Sequence, residues 1–321
     1  MPAPIDTLVT VFGGSGFLGR HVVRALAKRD YRIRVGVRRP ELAGHLQPLG
    51  KVGQIHAVQS NLRYPDSVRA AARGASVVVN LCGILSSSGA QTFDAVQNKG
   101  AETVAKAAAE IGARIVHVSA IGADADSKSR YARSKAAGEK AVRAVDHNAI
   151  VMRPSVVFGP EDQFTNRFAA LARMSPALPL IGGDTKMQPV FVGDVATAVA
   201  DSVDGKATAG ATYELGGPEV MTMREIMQVI LDVTERHRLL LPLPFGVANL
   251  QAMLLQFAPG DFKLTPDQVE LLRADNVVSD KAKFANLTLE GLGITPDSLE
   301  AVAPSYLWRF RKTGQFAHKG I

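Results

Sequence analysis

The sequence predicts an α/β protein built on a doubly wound parallel sheet, with a smaller, mainly C-terminal lobe. Short runs of apolar and β-branched residues alternate with longer helical stretches through the first half of the chain. Such alternation is typical of parallel strands joined by right-handed helical crossovers. A chain of 321 residues with 46% hydrophobic content is also long enough to bury one large core with an attached lobe.

The elements follow in order along the chain. The predicted strands are 7–12, 32–37, 54–58, 77–81, 114–119 and 149–153, each short and apolar enough to be buried on both faces. The predicted helices between them are 17–29, 65–73, 93–111 and 129–145. No internal repeat and no Ser/Gly-rich linker interrupts this order.

A glycine-rich turn joins the first predicted strand to the first predicted helix. Gly13, Gly16 and Gly19 give the spacing G-x-x-G-x-x-G. Missing Cβ atoms allow a tight turn, close approach to a pyrophosphate and packing of the helix on the strand. The helix N-terminus would offer free N–H groups and a partial positive charge to that pyrophosphate. The turn therefore predicts a dinucleotide pocket, with a plain strand-to-helix turn as the alternative.

The second predicted strand ends in two arginines, Arg38 and Arg39. Folds that prefer NAD carry an acidic residue here, which binds the ribose 2′-hydroxyl. A guanidinium instead binds a 2′-phosphate through paired, charge-assisted hydrogen bonds, so the arginines predict NADP. The alternative is that both are solvated loop charges.

A tyrosine and a lysine four residues apart, Tyr131 and Lys135, share one face of a predicted helix. Ser119 ends the preceding strand, close enough in sequence for the three side chains to meet over a cofactor. They predict a proton-relay site in which a nearby ammonium lowers the pKa of the phenol from about 10. Asn98, on the neighbouring helix, is a candidate fourth member.

Composition excludes several classes of protein and site. Cys82 is the single cysteine, so no intrachain disulfide or cysteine-type metal cluster can form, and the chain suits a reducing compartment. The seven histidines lack metal-ligand spacing, so no metal site is predicted. The net charge of +7 favours acidic partners, but no nucleic-acid-binding signature is present. The first strand begins close to Met1, and we expect a cytoplasmic product without a leader.

These ordered motifs resemble the short-chain dehydrogenases/reductases, in the extended or atypical branch that keeps G-x-x-G-x-x-G. The resemblance continues through 80–83, 153–160, 190–196 and 212–218. It implies a Rossmann fold, with residues 1–160 as an NADP-binding domain completed by about 190–217, and with 161–189 and 218–321 as a smaller substrate-lobe or docking region.

The resemblance also implies a set of cofactor contacts. These are Gly13, Ser15, Gly16, Phe17, Gly19, Arg38, Arg39, Asn61, Leu62, Leu81, Cys82, Gly83, Ser119, Tyr131, Lys135 and Pro154. One position departs from the pattern, because many relatives have Asp-Leu after the third strand, where this chain has Asn61-Leu62. The asparagine carbonyl can still accept a hydrogen bond from the adenine amino group.

The C-terminal third resembles a narrower family, the dehydrogenase-like accessory subunits of respiratory complex I, NADH:ubiquinone oxidoreductase. The similar segments are 275–279, 287–294 and 304–311. The resemblance implies a structural NADPH, a monomer within the hetero-complex, and docking on peripheral-arm subunits near the membrane and quinone site. It would place the chain on the cytoplasmic face of a bacterial plasma membrane, or on the matrix side in an organelle. The alternative is a free NADPH-dependent reductase, epimerase or dehydratase that uses Ser119, Tyr131 and Lys135.

Two further segments bear on docking. Residues 239–260 carry no charge, but prolines and a glycine leave only a short helix among them, too short to span a bilayer. This segment predicts either a core helix of the smaller lobe or an interfacial, partner-facing helix. Residues 301–321 have basic and aromatic residues but no acidic residue, which suits an anionic membrane surface or an acidic subunit. A solvated tail is the alternative.

Overall fold

The computed structural model describes residues 4–258 and 263–313. The described residues divide between two compact units, of which the first falls within Met1–Pro154, Gly193–Leu215 and Ser279–Ile294. The second falls within Ser155–Val192, Gly216–Val278 and Thr295–Ile321. The sequence analysis assigns 279–294 to the smaller region, whereas the structure includes this segment in the first unit.

The first unit is built on a seven-stranded parallel sheet, which confirms the predicted fold class. Its strands are β1 (Leu8–Phe12), β2 (Arg32–Val37), β3 (Ile55–Gln59), β4 (Val77–Asn80), β5 (Arg114–Val118), β6 (Ile150–Pro154) and β11 (Thr212–Leu215). Their order in space is β11-β6-β5-β4-β1-β2-β3. The strand order reverses beside β1, so the fold has its ligand-binding crevice at the carboxyl ends of β1 and β4.

Helices cover the sheet of the first unit. They are α1 (Phe17–Ala27), α2 (Pro65–Ala72), α3 (Lys99–Ala109), α4 (Arg130–Val145), α6 (Val192–Val203), whose first residue belongs to the second unit, and α10 (Asp280–Phe284). One core cluster of this unit joins β-branched residues of the sheet, such as Val78 and Ile115, to alanines and Val104 of α3. Small alanines let α3 pack closely on the sheet and on α2 and α4.

The helix predicted over 93–111 is not continuous. Asp94–Asn98 forms a π-helical turn, and the regular helix α3 begins only at Lys99. A Cβ atom at Gly138 of α4 would collide with the carbonyl oxygen of Gln97, so this glycine allows the two backbones to meet. Because a π-turn contains more residues per turn than an α-helix, the side chains of Asp94–Asn98 face other directions than they would in a regular extension of α3.

The second unit combines short strand pairs with helices. Its strands are β7 (Val157–Phe158), β8 (Ala177–Ile181), β9 (Lys186–Met187), β10 (Val190–Phe191), β12 (Met221–Thr222) and β13 (Leu239–Leu243). They pair as β7 with β10 and β8 with β13, both parallel, and as β9 with β12, antiparallel. Its helices are α5 (Thr165–Met174), α7 (Met223–Val233), α8 (Phe245–Leu255), α9 (Pro266–Leu271), α11 (Leu299–Val302) and α12 (Pro304–Leu307).

The C-terminal helices contribute to the core of the second unit. Tyr306 and Leu307 are buried against this core. The Tyr306 hydroxyl lies 2.9 Å from that of Thr165, which in turn donates to Asp162 at 2.6 Å. The prediction of a solvated or membrane-facing segment is therefore wrong for Tyr306, because its ring fills the core. Residues 314–321 of that segment lie outside the described residues.

Helix α8 lies on the surface rather than in the core. Its buried residues are the small Ala248 and Ala252, whereas Leu250, Leu254 and Phe257, the last just beyond the helix, are 65%, 74% and 85% exposed. The core-helix interpretation of 239–260 is therefore wrong for Leu250, Leu254 and Phe257, which point outward, whereas Ala248 and Ala252 belong to a small core cluster with Ile181 and Val269. Among residues 4–258 and 263–313, no helix combines the length and apolar character needed to cross a membrane.

Candidate nucleotide-binding site

The glycine turn after β1 has the geometry that its sequence predicts. Gly13 adopts a φ of +81°, which favours glycine, and its carbonyl accepts a hydrogen bond from the Gly16 N–H at 3.1 Å. A Cβ atom at Gly19 would collide with that same carbonyl oxygen. Helix α1 begins at Phe17 without a side-chain cap on Gly16, so backbone N–H groups face the crevice.

A cavity of about 470 Å³ opens over this turn, at the carboxyl ends of β1 to β4. The predicted contact residues that line it are Gly13, Ser15, Gly16, Phe17, Gly19, Arg38, Asn61, Leu62, Leu81, Cys82, Gly83 and Tyr131. The structure does not place Arg39, Ser119, Lys135 or Pro154 on its wall. Arg39 is exposed beside it, and Pro154 is buried at the end of β6, where its carbonyl accepts from the Ile121 N–H.

Lys135 lies just beneath the cavity wall that Tyr131 and Gly83 form. The Lys135 ammonium lies 5.8 Å from the centre of the Tyr131 ring and donates to the Val118 carbonyl at 3.3 Å. A Cβ atom at Gly83 would lie 3.3 Å from that ammonium, so the glycine keeps the lysine close to the cavity. Ser119 follows Val118 directly, and its buried hydroxyl has no hydrogen-bond partner.

The pKa of Tyr131 differs from the prediction, and the pKa of Lys135 is shifted from its ordinary value. Burial raises the pKa of Tyr131 to about 12, so the expectation that the ammonium lowers it is wrong. Burial also lowers the pKa of Lys135 to about 8, although the charge of Glu139 acts in the opposite direction. Near neutral pH the phenol therefore holds its proton, and Lys135 is close to its titration point.

Gln97, rather than the predicted Asn98, joins the buried polar groups near Tyr131. Gln97 accepts from the Ser134 hydroxyl at 2.8 Å and donates to the Ile84 carbonyl at 3.3 Å. Asn98 instead donates to Asp94 at 2.8 Å, outside the cavity. The π-turn causes this exchange, because a regular helix over 93–111 would present different side chains to α4.

Asn80 and His117 form a second buried pair that the sequence analysis missed. They are opposite each other on β4 and β5, and Asn80 Nδ2 lies 3.2 Å from His117 Nδ1. The side-chain carbonyl of Asn80 accepts a hydrogen bond from the Cys82 backbone N–H at 3.1 Å. The side-chain NH₂ group of Asn80 therefore faces His117 and donates to it. Burial, assisted by the charge of Lys135, lowers the pKa of His117 to about 3. The only sequence signal was a polar residue within each of two apolar strands.

The end of the cavity beside β2 and β3 is polar and basic. Arg38 and Arg63 both line it, and none of the described lining residues carries a carboxylate. Ser60 also lines it with a buried hydroxyl that has no hydrogen-bond partner. The side-chain carbonyl of Asn61 accepts a hydrogen bond from the Arg63 backbone N–H at 3.2 Å. The second lone pair of that side-chain oxygen is left for a ligand. Sequence reasoning missed Ser60 and Arg63, although both flank Asn61-Leu62.

Cys82 lines the cavity as a protonated thiol. Burial raises the pKa of its thiol to about 12, so it stays protonated at neutral pH. Within the described part of the chain, no three His, Cys, Asp or Glu side chains are grouped to hold a metal ion. The cavity therefore offers glycine backbone, hydroxyls and guanidinium groups, which suit a phosphate-bearing organic ligand.

Comparison with known proteins assigns the family. Residues 9–216 match the NAD dependent epimerase/dehydratase family. The chain belongs to that family. It is 35% identical to the mitochondrial NADH dehydrogenase [ubiquinone] 1 alpha subcomplex subunit 9 of Arabidopsis thaliana, over 96% of this chain and 79% of that protein. The similarity to that subunit therefore extends over almost the whole of this chain.

Two further members of the comparison are reductases. The ceramide reductase of Caulobacter vibrioides is 38% identical, over 59% of this chain and 58% of that protein. The structure of Citrobacter sp. triphenylmethane reductase complexed with NADP(H) superposes with a TM-score of 0.72 at 19% identity, over 93% of this chain and 99% of that chain. The second likeness shows the fold alone.

The residues of this epimerase/dehydratase family member fit a nicotinamide dinucleotide. The glycine turn can form only because Gly19 has no Cβ atom, which would collide with the backbone of Gly13 and Gly14. A buried hydroxyl without a hydrogen-bond partner lies on the cavity wall at Ser60, and a second one belongs to Ser119, next to the residue whose carbonyl binds Lys135. A buried polar atom without a partner costs free energy, and a polar ligand can offset that cost.

Proposed function

We propose that the protein is an accessory subunit of respiratory complex I that binds NADPH as a structural cofactor. The observation that carries the proposal is the 35% identity to the Arabidopsis NADH dehydrogenase subunit over 96% of this chain. The similarity to the ceramide reductase covers only 59% of it. A free reductase would need the nucleotide-binding domain, but its sequence would not need to be similar to the accessory subunit over almost the whole chain.

The basic end of the cavity supports NADPH rather than NADH. Arg38 and Arg63 would bind the ribose 2′-phosphate, and no lining carboxylate among the described residues would repel it. The N–H groups at the start of α1 would bind the pyrophosphate, and Tyr131 with Lys135 would hold the nicotinamide ribose. A bound nicotinamide group would be able to supply a hydride, and the residues of this chain would bind and orient the cofactor.

Measuring nucleotide preference tests this part of the proposal. We expect Arg38→Gln and Arg63→Gln each to weaken NADPH binding about tenfold, because each removes a charge-assisted hydrogen bond, and to change NADH binding little. Arg39→Gln is the matched control, since Arg39 is exposed and outside the cavity wall. Equal losses for NADPH and NADH would contradict recognition of the 2′-phosphate.

A structural cofactor stabilises its protein by mass action. A ligand at one hundred times its Kd adds about 2.7 kcal/mol to the free energy of unfolding. In this proposal NADPH fills the cavity, offsets the cost of the buried hydroxyls and holds the first unit in its folded form. Thermal unfolding should therefore occur at a higher temperature with NADPH than without it.

The surface of α8 supports docking at the membrane side of the complex. We define its outer face as Val247, Leu250, Met253, Leu254 and Phe257, which are all more than half exposed. No charged residue occurs from 239 to 258. Several large apolar side chains exposed on one short segment are typical of an interaction site. We propose that it lies against the membrane while peripheral-arm subunits hold the rest of the chain, on the cytoplasmic side in a bacterium or the matrix side in an organelle.

The experiment that tests the function is native isolation. The chain is tagged in its own cells, the membranes are solubilised gently, and the species that migrates with it on a native gel is identified by mass spectrometry. Co-migration with NADH:ubiquinone oxidoreductase, with NADPH released on denaturation, is the expected result. A free soluble species would contradict the proposal.

A second candidate function is a free NADPH-dependent reductase, epimerase or dehydratase. It is favoured by the ceramide reductase similarity and by the free hydroxyl of Ser119 close to Lys135. In such an enzyme the protonated Tyr131 would give its proton to a substrate oxygen. Turnover of a carbonyl substrate that Tyr131→Phe abolishes, and that Tyr64→Phe at an exposed position leaves intact, would establish this candidate instead.

A further inference from the structure

An ion pair between a buried glutamate, Glu139, and a partly exposed arginine, Arg153, lies one helical turn from Lys135. Glu139 follows Lys135 by four residues on α4, so the two side chains share a face, and each is only 6% exposed. Arg153 of β6 donates to both carboxylate oxygens of Glu139, through Nε at 2.9 Å and through Nη2 at 2.7 Å. A bidentate pair of this kind fixes the position of the carboxylate.

The pair is anchored from its other side. Glu214 lies opposite Arg153 in the register of β11 and β6, and its carboxylate is 3.7 Å from Arg153 Nη1. Glu214 also accepts from the Ser279 N–H at 2.8 Å. Because two carboxylates hold the one guanidinium, Arg153 has no freedom to leave Glu139 when conditions around Lys135 change.

Few other charges face Lys135. The titratable groups around it are Tyr131 and Glu139 on its own helix, Cys82 after β4 and His117 on β5. At neutral pH the phenol, the thiol and the imidazole are all uncharged, because burial disfavours their charged forms. Glu139 is therefore the single negative charge among these groups.

We propose that Glu139, fixed by Arg153, is a positioning residue that keeps Lys135 protonated beneath the nucleotide cavity. A buried lysine loses its proton readily, and a neutral amine could no longer attract an electron-rich ligand group. Glu139 does not touch the cavity and acts only through Lys135. The inference rests on the proposed nucleotide site for its purpose, but the titration of Lys135 is a property of the protein alone.

The test is a titration of Lys135 by NMR on full-length protein with ¹³C-labelled lysine. The Lys135→Arg spectrum identifies the resonance by its disappearance. In the unsubstituted protein the Cε shift should have its midpoint near pH 8. In Glu139→Gln the midpoint should fall by about one pH unit. Glu139→Asp, which restores the charge, should move the midpoint back towards its original value.

A control variant separates a specific effect of Glu139 from a general change in net charge. Glu110→Gln makes the same change in net charge at an exposed position and should leave the midpoint unchanged. Coinciding midpoints in Glu139→Gln and the unsubstituted protein would overturn the inference, whatever happens to stability. If Glu139→Gln does not fold, Glu139→Asp alone is measured: its shorter side chain holds the carboxylate farther from Lys135, and the midpoint should fall by a smaller amount.

Nucleotide binding separates this inference from the proposed function. The affinity of the unsubstituted protein for NADPH should decrease above the Lys135 midpoint, and in Glu139→Gln that decrease should begin at a lower pH. No NADPH binding at any pH would refute the proposed function, while the NMR titration would still decide the role of Glu139.

Discussion

The nucleotide cavity of the first unit and the outer face of α8 in the second both leave groups unsatisfied, but of opposite kinds. In the cavity region, the hydroxyls of Ser60 and Ser119 are buried without hydrogen-bond partners. On α8, Leu254 and Phe257 are exposed to solvent. Both arrangements cost free energy in the isolated chain. A polar ligand would offset the first cost and an apolar surface the second, so the two regions indicate two different partners.

The two regions also use small residues for opposite purposes. Beside the cavity, Gly13 and Gly19 lack side chains so that the turn can lie close to 81–82 and to the start of α1. In α8, Ala248 and Ala252 face inward so that the helix lies close to its own unit, and the large residues remain outside. Close packing creates a concave site in one region and a convex apolar site in the other.

The largest expected effect is that of Gly19→Ala. The added Cβ would collide with the Gly13 carbonyl, so we expect the free energy of unfolding to fall by at least about 3 kcal/mol and NADPH binding to be lost. Urea unfolding and fluorescence titration measure the two effects. Gly44→Ala is the matched control, because nothing lies within 4 Å of its Cβ position. Normal binding by Gly19→Ala would show that the turn does not form the cradle.

Acid should destabilise the first unit through His117. Burial lowers the folded-state pKa of this imidazole from 6.5 to about 3, so between these values the unfolded chain binds the additional proton. The stabilisation is complete above the unfolded pKa and is lost as pH falls. From pH 7 to pH 5 we expect a loss of about 2 kcal/mol from this group.

Urea unfolding across that pH range measures the His117 effect. His117→Gln should flatten the pH dependence, while His56→Gln, at an exposed position on β3, should not. If both variants keep the slope of the unsubstituted protein, His117 is not the group responsible.

The smallest expected effects distinguish the two faces of α8. Ala252→Leu adds volume on the buried face and should lower the free energy of unfolding by about 1.5 kcal/mol. Leu254→Gln on the exposed face should change it by less than about 0.5 kcal/mol. The ranking should be reversed for binding to lipid vesicles: Leu254→Gln should weaken that binding more than Ala252→Leu does. Equal vesicle binding by both variants would contradict membrane docking by the outer face.

Local patterns predicted the sheet and the glycine turn. Short apolar runs that alternate with longer helical stretches indicate buried parallel strands, and G-x-x-G-x-x-G has a direct steric cause. The sequence did not predict the π-turn at Asp94–Asn98, because its cause is the contact between Gln97 and Gly138 of a different helix. The exchange of Asn98 for Gln97 follows from that missed turn.

The sequence also did not predict how deeply the site residues are buried or which face of α8 is exposed to solvent. The spacing of Tyr131 and Lys135 predicted their proximity, but the pKa of Tyr131 depends on desolvation by the surrounding fold. The charge-free character of 239–260 was visible, whereas the face that α8 presents depends on which side its alanines occupy. Arg63 and Ser60 were overlooked because neither belongs to a recognised motif, although both line the cavity.

The junction of Glu214 with the segment 279–294 has a consequence for biosynthesis. Every described residue that lines the nucleotide cavity is translated by position 131. Yet the edge strand β11 donates its Glu214 N–H to the Leu287 carbonyl, from a segment that leaves the ribosome much later. Until then β11 is an open sheet edge, which can pair with another chain and aggregate. Premature termination between 216 and 278 would therefore release a product with a complete cavity and an uncovered edge, suited to removal by chaperones and proteases.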